Sequence, residues 1–293
     1  MKIFMLTLAI GLSACSPQAS TIKLKGSDTE VNLSVLLAEA FHQNDKGLLV
    51  SVSGGGSGLG LASLLNGNAD ITNSSRSIKA AELDMFKQRD IELDSFVFAQ
   101  DAIAFITSDR LSLDSISTEN IAKILKGESK NWSFLTGSNK PITIYGRQSN
   151  SGTYDYVKDI LNIRFSLYAK QMNGNAQILE AIKADDSGIG YVSAGYVLSG
   201  NAAGLKILSV YNNNSKAVSP LDTKAIASGE YFFQRPLFQY FKKSSYQKIK
   251  PFLDFEKSAA GAKIIQYSGY TPLINHNEYP EKRTNRLVLQ DYF

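Results

Sequence analysis

In 293 residues the sequence holds one cysteine, two histidines and one tryptophan. A lone thiol builds no disulfide framework. Cys15, His42 and His276 are too few and too scattered for a Cys/His zinc site. The same scarcity leaves little material for Cys-His or Ser-His nucleophilic catalysis. Neither Ser57, in Gly55-Gly56-Ser57-Gly58-Leu59, nor Ser151, in Ser149-Asn150-Ser151-Gly152-Thr153, sits in a Gly-x-Ser-x-Gly elbow. No block of like charge occurs and the net charge is only +4, so the electrostatic footprint of a nucleic-acid partner is missing. No internal repeat of about 20–50 residues is visible. Nothing in the composition calls for a metal or an organic cofactor.

What is present is a chain of 43% hydrophobic and 20% charged residues, long enough for a large core and about two domains. Lys2 and the short apolar run 3–11 read as an export signal, since the run is too short to span a bilayer. Leu12-Ser13-Ala14-Cys15 then resembles the lipobox of bacterial lipoproteins. That resemblance implies a signal peptide over 1–15, a lipid on Cys15, a tether over 16–21 and attachment to a membrane surface. The alternative is an ordinary cleavable signal in which Cys15 is incidental.

Strand-like alternation followed by helix-like spacing recurs along the chain and predicts α/β architecture. Strands are expected over 21–24, 48–53, 142–145, 189–192, 205–210 and 238–241, and helices over 31–41, 59–65, 80–89, 117–125, 153–161, 176–184 and 248–267. The run 96–106 reads as a long strand passing between lobes, and the Asn-rich segment 211–219 as a loop near the return crossing. The tail from 275 is polar.

Two segments carry the chemistry. Gly146-Arg147-Gln148-Ser149-Asn150-Ser151-Gly152-Thr153 and Ser53-Gly54-Gly55-Gly56-Ser57-Gly58-Leu59-Gly60 each follow a strand-like run and precede a helix-like one. Hydroxyls and unhindered N–H groups at a helix start bind a small oxyanion without a cofactor. Arg147 adds a planar fork that matches two oxygens of a tetrahedral anion. The glycine-rich loop lacks the Gly-Lys-Ser/Thr of a phosphate-binding loop and the spacing of a dinucleotide fingerprint. Ser27 and Thr29 at the first helix, and Ser74, Ser75 and Arg76 after 69–73, add hydroxyls and a second fork. Each has a plainer reading: caps and turns for the hydroxyls and glycines, a solvated Arg147, and an Arg76 paired with an acid.

With Asn131-Trp132-Ser133, Gly188-Ile189-Gly190-Tyr191-Val192, Arg235-Pro236-Leu237 and Gly269-Tyr270-Thr271-Pro272-Leu273, these segments resemble the substrate-binding lipoprotein of high-affinity phosphate ABC importers. The resemblance implies an α/β type II periplasmic-binding-protein fold, with two lobes joined by two crossover strands and the ligand in the cleft. Lobe 1 would be 22–101 plus 221–274, lobe 2 102–220, with 275–293 as a C-terminal tail. Ser27, Thr29, Ser57 and Ser75 would serve the first lobe, and Arg147, Ser151, Gly152 and Thr153 the second, with Arg76 as a further ligand. Well-known members place an aspartate where this chain has Ser74-Ser75-Arg76. That carboxylate accepts a proton from the bound anion and so rejects sulfate. Here Asp28 becomes the candidate acceptor, a cap role being its alternative. The resemblance implies no enzyme activity, and a monomeric extracytoplasmic protein that hands inorganic phosphate to an ABC permease. The competing functions are capture of another oxyanion, sulfate or molybdate, and a serine-dependent hydrolase.

Overall fold

The computed structural model describes residues 20–200, 202–213 and 215–273. The expected signal, Cys15, most of the tether, His276 and the tail from 275 lie outside the described residues. In chain order the elements are β1 (Ser20–Gly26), α1 (Val31–Asn44), β2 (Leu48–Ser53), α2 (Ser57–Leu65), β3 (Ile71–Ser74), α3 (Ala80–Lys87) and β4 (Leu93–Ser108). They continue as β5 (Ser115–Ser117), α4 (Thr118–Lys126), α5 (Ser133–Thr136), β6 (Thr143–Arg147), α6 (Gly152–Ile160), β7 (Lys170–Met172), α7 (Asn175–Ala184) and β8 (Gly188–Ser193). The chain then forms α8 (Ala194–Ser199), β9 (Leu205–Tyr211), α9 (Thr223–Ala227), β10 (Gln234–Lys242), α10 (Tyr246–Glu256), α11 (Ala259–Tyr267) and β11 (Thr271–Pro272). Among the described residues no helix is long and apolar enough to cross a membrane.

One path of paired strands, β2-β1-β3-β10-β4-β8-β6-β7, runs through both lobes. In the first lobe β1 pairs parallel with β2 and β3, and β10 joins antiparallel to β3 and β4. Alternation along β10 sends Leu237 and Phe241 to the face covered by α1, α10 and α11, and Phe238 and Tyr240 to the face covered by α2 and α3. In the second lobe β6 pairs parallel with β7 and β8, while β4 pairs antiparallel with β8 and β9. β8 is buried along its whole length, which is why its sequence shows no polar alternation.

β4 is the expected crossing strand. Its pairing with β10 ends at Ala102, and its pairing with β8 starts at Ile103. The return crossing comes later than the boundary expected at residue 221. Leu221, Ile226, Tyr231 and Phe233 pack with the second-lobe core, and pairing in the first sheet begins only at Gln234. The helix expected over 248–267 is two helices. Ser258 Oγ accepts from Gly261 N at 3.2 Å, a cap that starts α11 afresh. The short elements β5, α5, β7, α8, α9 and β11 have too few residues to show a period in sequence.

Glu256 is a buried acid in the first-lobe core. Glu256 Oε1 accepts from Gln239 Nε2 at 2.9 Å, and Oε2 has no partner among the described residues. Burial pushes its pKa up to about 8. The folded chain thus holds a proton that the unfolded chain releases in the ordinary carboxylate range. That contribution to stability is complete below the unfolded value and is lost as pH rises through about 8. Glu256→Gln is expected to flatten the decline of urea stability between pH 5 and 8, gaining on the wild type by a few kcal/mol at most, on the order of its share of that linkage. Parallel stability curves for the two proteins would refute the assignment.

Candidate functional site

The centre of the site is set where the strands cross. Asp101 on β4 and Arg235 on β10 are register partners, so their side chains meet between the lobes. Arg235 Nε and Nη2 donate to Asp101 Oδ2 at 3.2 and 2.9 Å, and Ser193 Oγ donates to Oδ1 at 2.7 Å. Burial raises the Asp101 pKa, while Arg235 and the Ser193 hydroxyl oppose that rise. The outer N–H groups of Arg235 reach both lobes. Nη2 donates to Thr29 Oγ1 at 3.1 Å, and Nη1 to Thr153 Oγ1 at 3.1 Å and Ser75 O at 3.2 Å.

Around this guanidinium stands a cluster of buried hydroxyls, held by loops at the carboxyl ends of parallel strands, where open α/β sheets place their ligands. β1 ends in a 3₁₀ turn, Asp28–Glu30, capped by Ser27. Ser27 Oγ accepts from Thr29 N at 3.3 Å and donates to Ser75 Oγ at 3.0 Å. Ser57, which opens α2 after the glycine loop, lies 3.5 Å from Ser75 Oγ and accepts from Ser75 N at 3.1 Å. Opposite them Ser151 caps α6, its Oγ accepting from Thr153 N at 3.2 Å and Tyr154 N at 3.5 Å. Its proton is left to donate elsewhere. Thr153 Oγ1 lies 3.2 Å from Thr29 Oγ1, a direct contact between lobes.

The two edges meet without side chains in the way. A Cβ on Gly152 would stand 2.3 Å from Ser57 Oγ and 2.6 Å from Ser75 Oγ, and one on Gly56 would stand 2.8 Å from Asn150 O. Gly58 N donates to Asn150 O, and Asn150 Nδ2 to Gly55 O, each at 3.1 Å. The glycines of both segments thus serve close contact across the cleft.

Arg147 ends β6 and is 1% exposed. Its Nη2 donates to Asn173 O at 3.2 Å and Nη1 to Asn175 Oδ1 at 3.5 Å, while Nε has no partner among the described residues. Burial lowers its pKa and the Asp28 carboxylate, 3.7 Å away, opposes this; a guanidinium remains charged regardless. Asp28, the candidate proton acceptor, turns Oδ2 to Asn175, receiving its backbone N–H at 2.8 Å and Nδ2 at 3.0 Å. It acts as a pin between lobes.

Arg76 departs from the expected role of a second fork. Nη1 and Nη2 pair with Glu82 at 2.8 and 2.7 Å, Nη1 also donates to Ser77 O, and Nε lies 2.9 Å from Asp155 of the other lobe. With Lys79 Nζ 2.7 Å from the same Asp155 oxygen, this is an ion-pair clasp across the lobes, the pairing left open as its alternative. The guanidinium that stands among the hydroxyls is that of Arg235, whose only mark in the sequence is its place in the Arg235-Pro236-Leu237 family segment. A carboxylate at position 101, inside the apolar run 96–106, was the signal for its partner. Asn175 carried no signal.

Comparisons with known proteins bear on the family and the fold. A profile described as a PBP superfamily domain matches residues 13–259. The phosphate-binding protein PstS of Borreliella burgdorferi is 30% identical over 285 residues, covering 92% of this chain and 96% of the relative. Protein SphX of Synechococcus elongatus is 30% identical over 273 residues, covering 89% and 80%. A putative phosphate ABC transporter substrate-binding protein from Clostridium perfringens, solved with bound phosphate, superposes with a TM-score of 0.78. It is 22% identical, with 87% of this chain and all of that one covered.

The contact at Gly152 is directly testable. Gly152→Val puts a branched Cβ where the Ser57 and Ser75 hydroxyls stand. The variant is expected to melt within a few degrees of the wild type yet to show a larger radius of gyration by small-angle scattering. Unchanged dimensions would mean that Gly152 does not set the approach of the lobes.

Proposed function

We propose, for a chain that belongs to the PBP superfamily and shares its family with the phosphate-binding protein PstS, capture of inorganic phosphate outside the cytoplasm and its delivery to an ABC permease. The observation that carries this reading is the buried guanidinium of Arg235 donating to hydroxyls of both lobes, with a second buried guanidinium, Arg147, held by the second lobe opposite Asp28. Ser27, Thr29, Ser57 and Ser75 would donate from the first lobe, and Arg147, Ser151, Thr153 and the N–H groups of Gly152 and Thr153 from the second. Arg235 joins them, and Arg76 is assigned to the clasp. Asp101 leaves Arg235 its outward-facing donors while cancelling much of its charge.

Phosphate binds when the lobes close, because only the closed form brings both sets of donors within reach of one anion. Micromolar affinity requires about 8 kcal/mol, which a handful of charge-assisted hydrogen bonds at roughly 1.5–3 kcal/mol each supplies after ordering costs. The family is one of transport receptors, and the site has the parts of a receptor. Among the described residues Ser57 and Ser151 hydrogen-bond with a hydroxyl and with backbone N–H groups. In the same reading Cys15 carries a lipid that keeps the protein at the membrane where the permease lies.

Isothermal titration of the lipid-free protein should give micromolar or tighter binding of phosphate, with sulfate failing to displace it at equal concentration. Arg147→Ala is expected to weaken binding by at least about 100-fold, the scale of losing one charge-assisted fork. Near-native affinity in that variant would remove Arg147 from the site, and equal binding of sulfate would overturn the choice of anion.

A further inference from the structure

We propose that Glu30 is the proton-bearing acid of the anion site: it stays neutral while the lobes hold the anion, and its ionisation weakens capture. The inference rests on the phosphate reading above. Glu30 closes the 3₁₀ turn that begins at Asp28 and is 0% exposed. Neither of its carboxyl oxygens has a hydrogen-bond partner among the described residues. The hydroxyl facing it is that of Ser27, the same one that donates to Ser75 Oγ at 3.0 Å.

The charged and titratable groups around it come from every neighbouring element. Asp101 and Arg235 face it from the crossing strands, Arg147 from the end of β6, and Tyr270 from the segment after α11. Arg235 is already engaged by Asp101 through two donors. An ionised Glu30 would therefore be a second buried carboxylate beside an Arg235 already engaged, with only the Ser27 hydroxyl to donate to it. Burial pushes its pKa up to about 8, with Asp101 acting in the same direction and Ser27 and Arg235 against it.

An anion among these hydroxyls adds negative charge and makes ionising Glu30 harder still. Linkage is reciprocal: if the anion retains the proton on Glu30, that proton favours the anion. The polarity of the hydroxyl chain points the same way. A neutral Glu30 leaves Ser27 donating to Ser75, so that the Ser75 proton can turn to the ligand. An ionised Glu30 draws the Ser27 proton back and leaves an acceptor where the anion needs a donor. Below about pH 8 the acid is neutral with or without ligand. Above it, binding takes up a proton and affinity falls by up to about tenfold per pH unit.

The test is titration of inorganic phosphate into the wild type and Glu30→Gln from pH 6 to 9.5. Phosphate's own ionisation is common to both proteins, so the ratio of the two Kd values isolates Glu30. The ratio of wild type to variant is expected to be constant below pH 7 and to rise at least fivefold by pH 9.5; a flat ratio overturns the proposal. A wild type that binds no phosphate at pH 6.5 would instead sink the reading beneath it. Should the variant not fold, infrared difference spectra of the wild type at pH 8.5 decide. A protonated-carboxyl band gained on adding phosphate supports the role of Glu30, and no such band refutes it.

Discussion

The pairing of Asp101 with Arg235 is the constraint around which the site is organised. The two residues are opposite each other on the strands that carry the chain between lobes, so the ion pair sits at the hinge itself. Such a pair is costly to bury unless its remaining hydrogen-bond groups are satisfied. Here Ser193 completes the carboxylate, and Thr29, Ser75 and Thr153 take up the guanidinium. Because those acceptors belong to both lobes, the charge at the hinge also registers one lobe against the other.

From that follows the division of labour among the arginines. Arg235 is held rigid and partly neutralised. Arg147 keeps an unpartnered Nε and a weaker hold on Asp28, 3.7 Å away. Arg76 is withdrawn altogether into the clasp with Glu82 and Asp155. A site with three free guanidinium groups would bind any multiply charged anion strongly. One with neutral hydroxyls, one guanidinium with a spare Nε and a shielded second one would select by shape and hydrogen-bond direction.

Much of this was legible in the residues. The alternation of β1 and β2 and the caps of α4 and α6 stand in the sequence because they are local, needing only a period and a cap residue. Ser57 and Gly152 were legible as loop residues at helix starts. The splitting of 248–267 at Ser258 was written in a cap that an apolar helical period on either side obscured. The later return crossing was not readable, since Tyr231 and Phe233 are apolar residues that either core would accept.

By itself the sequence determined the α/β class, the crossing strand over 96–106, and the two segments whose hydroxyls and glycines meet between the lobes. These depend on neighbours a few positions apart. Only the tertiary structure decided which arginine stands among the hydroxyls, that Arg76 closes the lobes, and that Glu30 is buried beside Ser27. Those outcomes hang on contacts between residues far apart in the chain, such as Arg235 with Thr29. A charge has no assigned partner until the backbone brings one within hydrogen-bond reach.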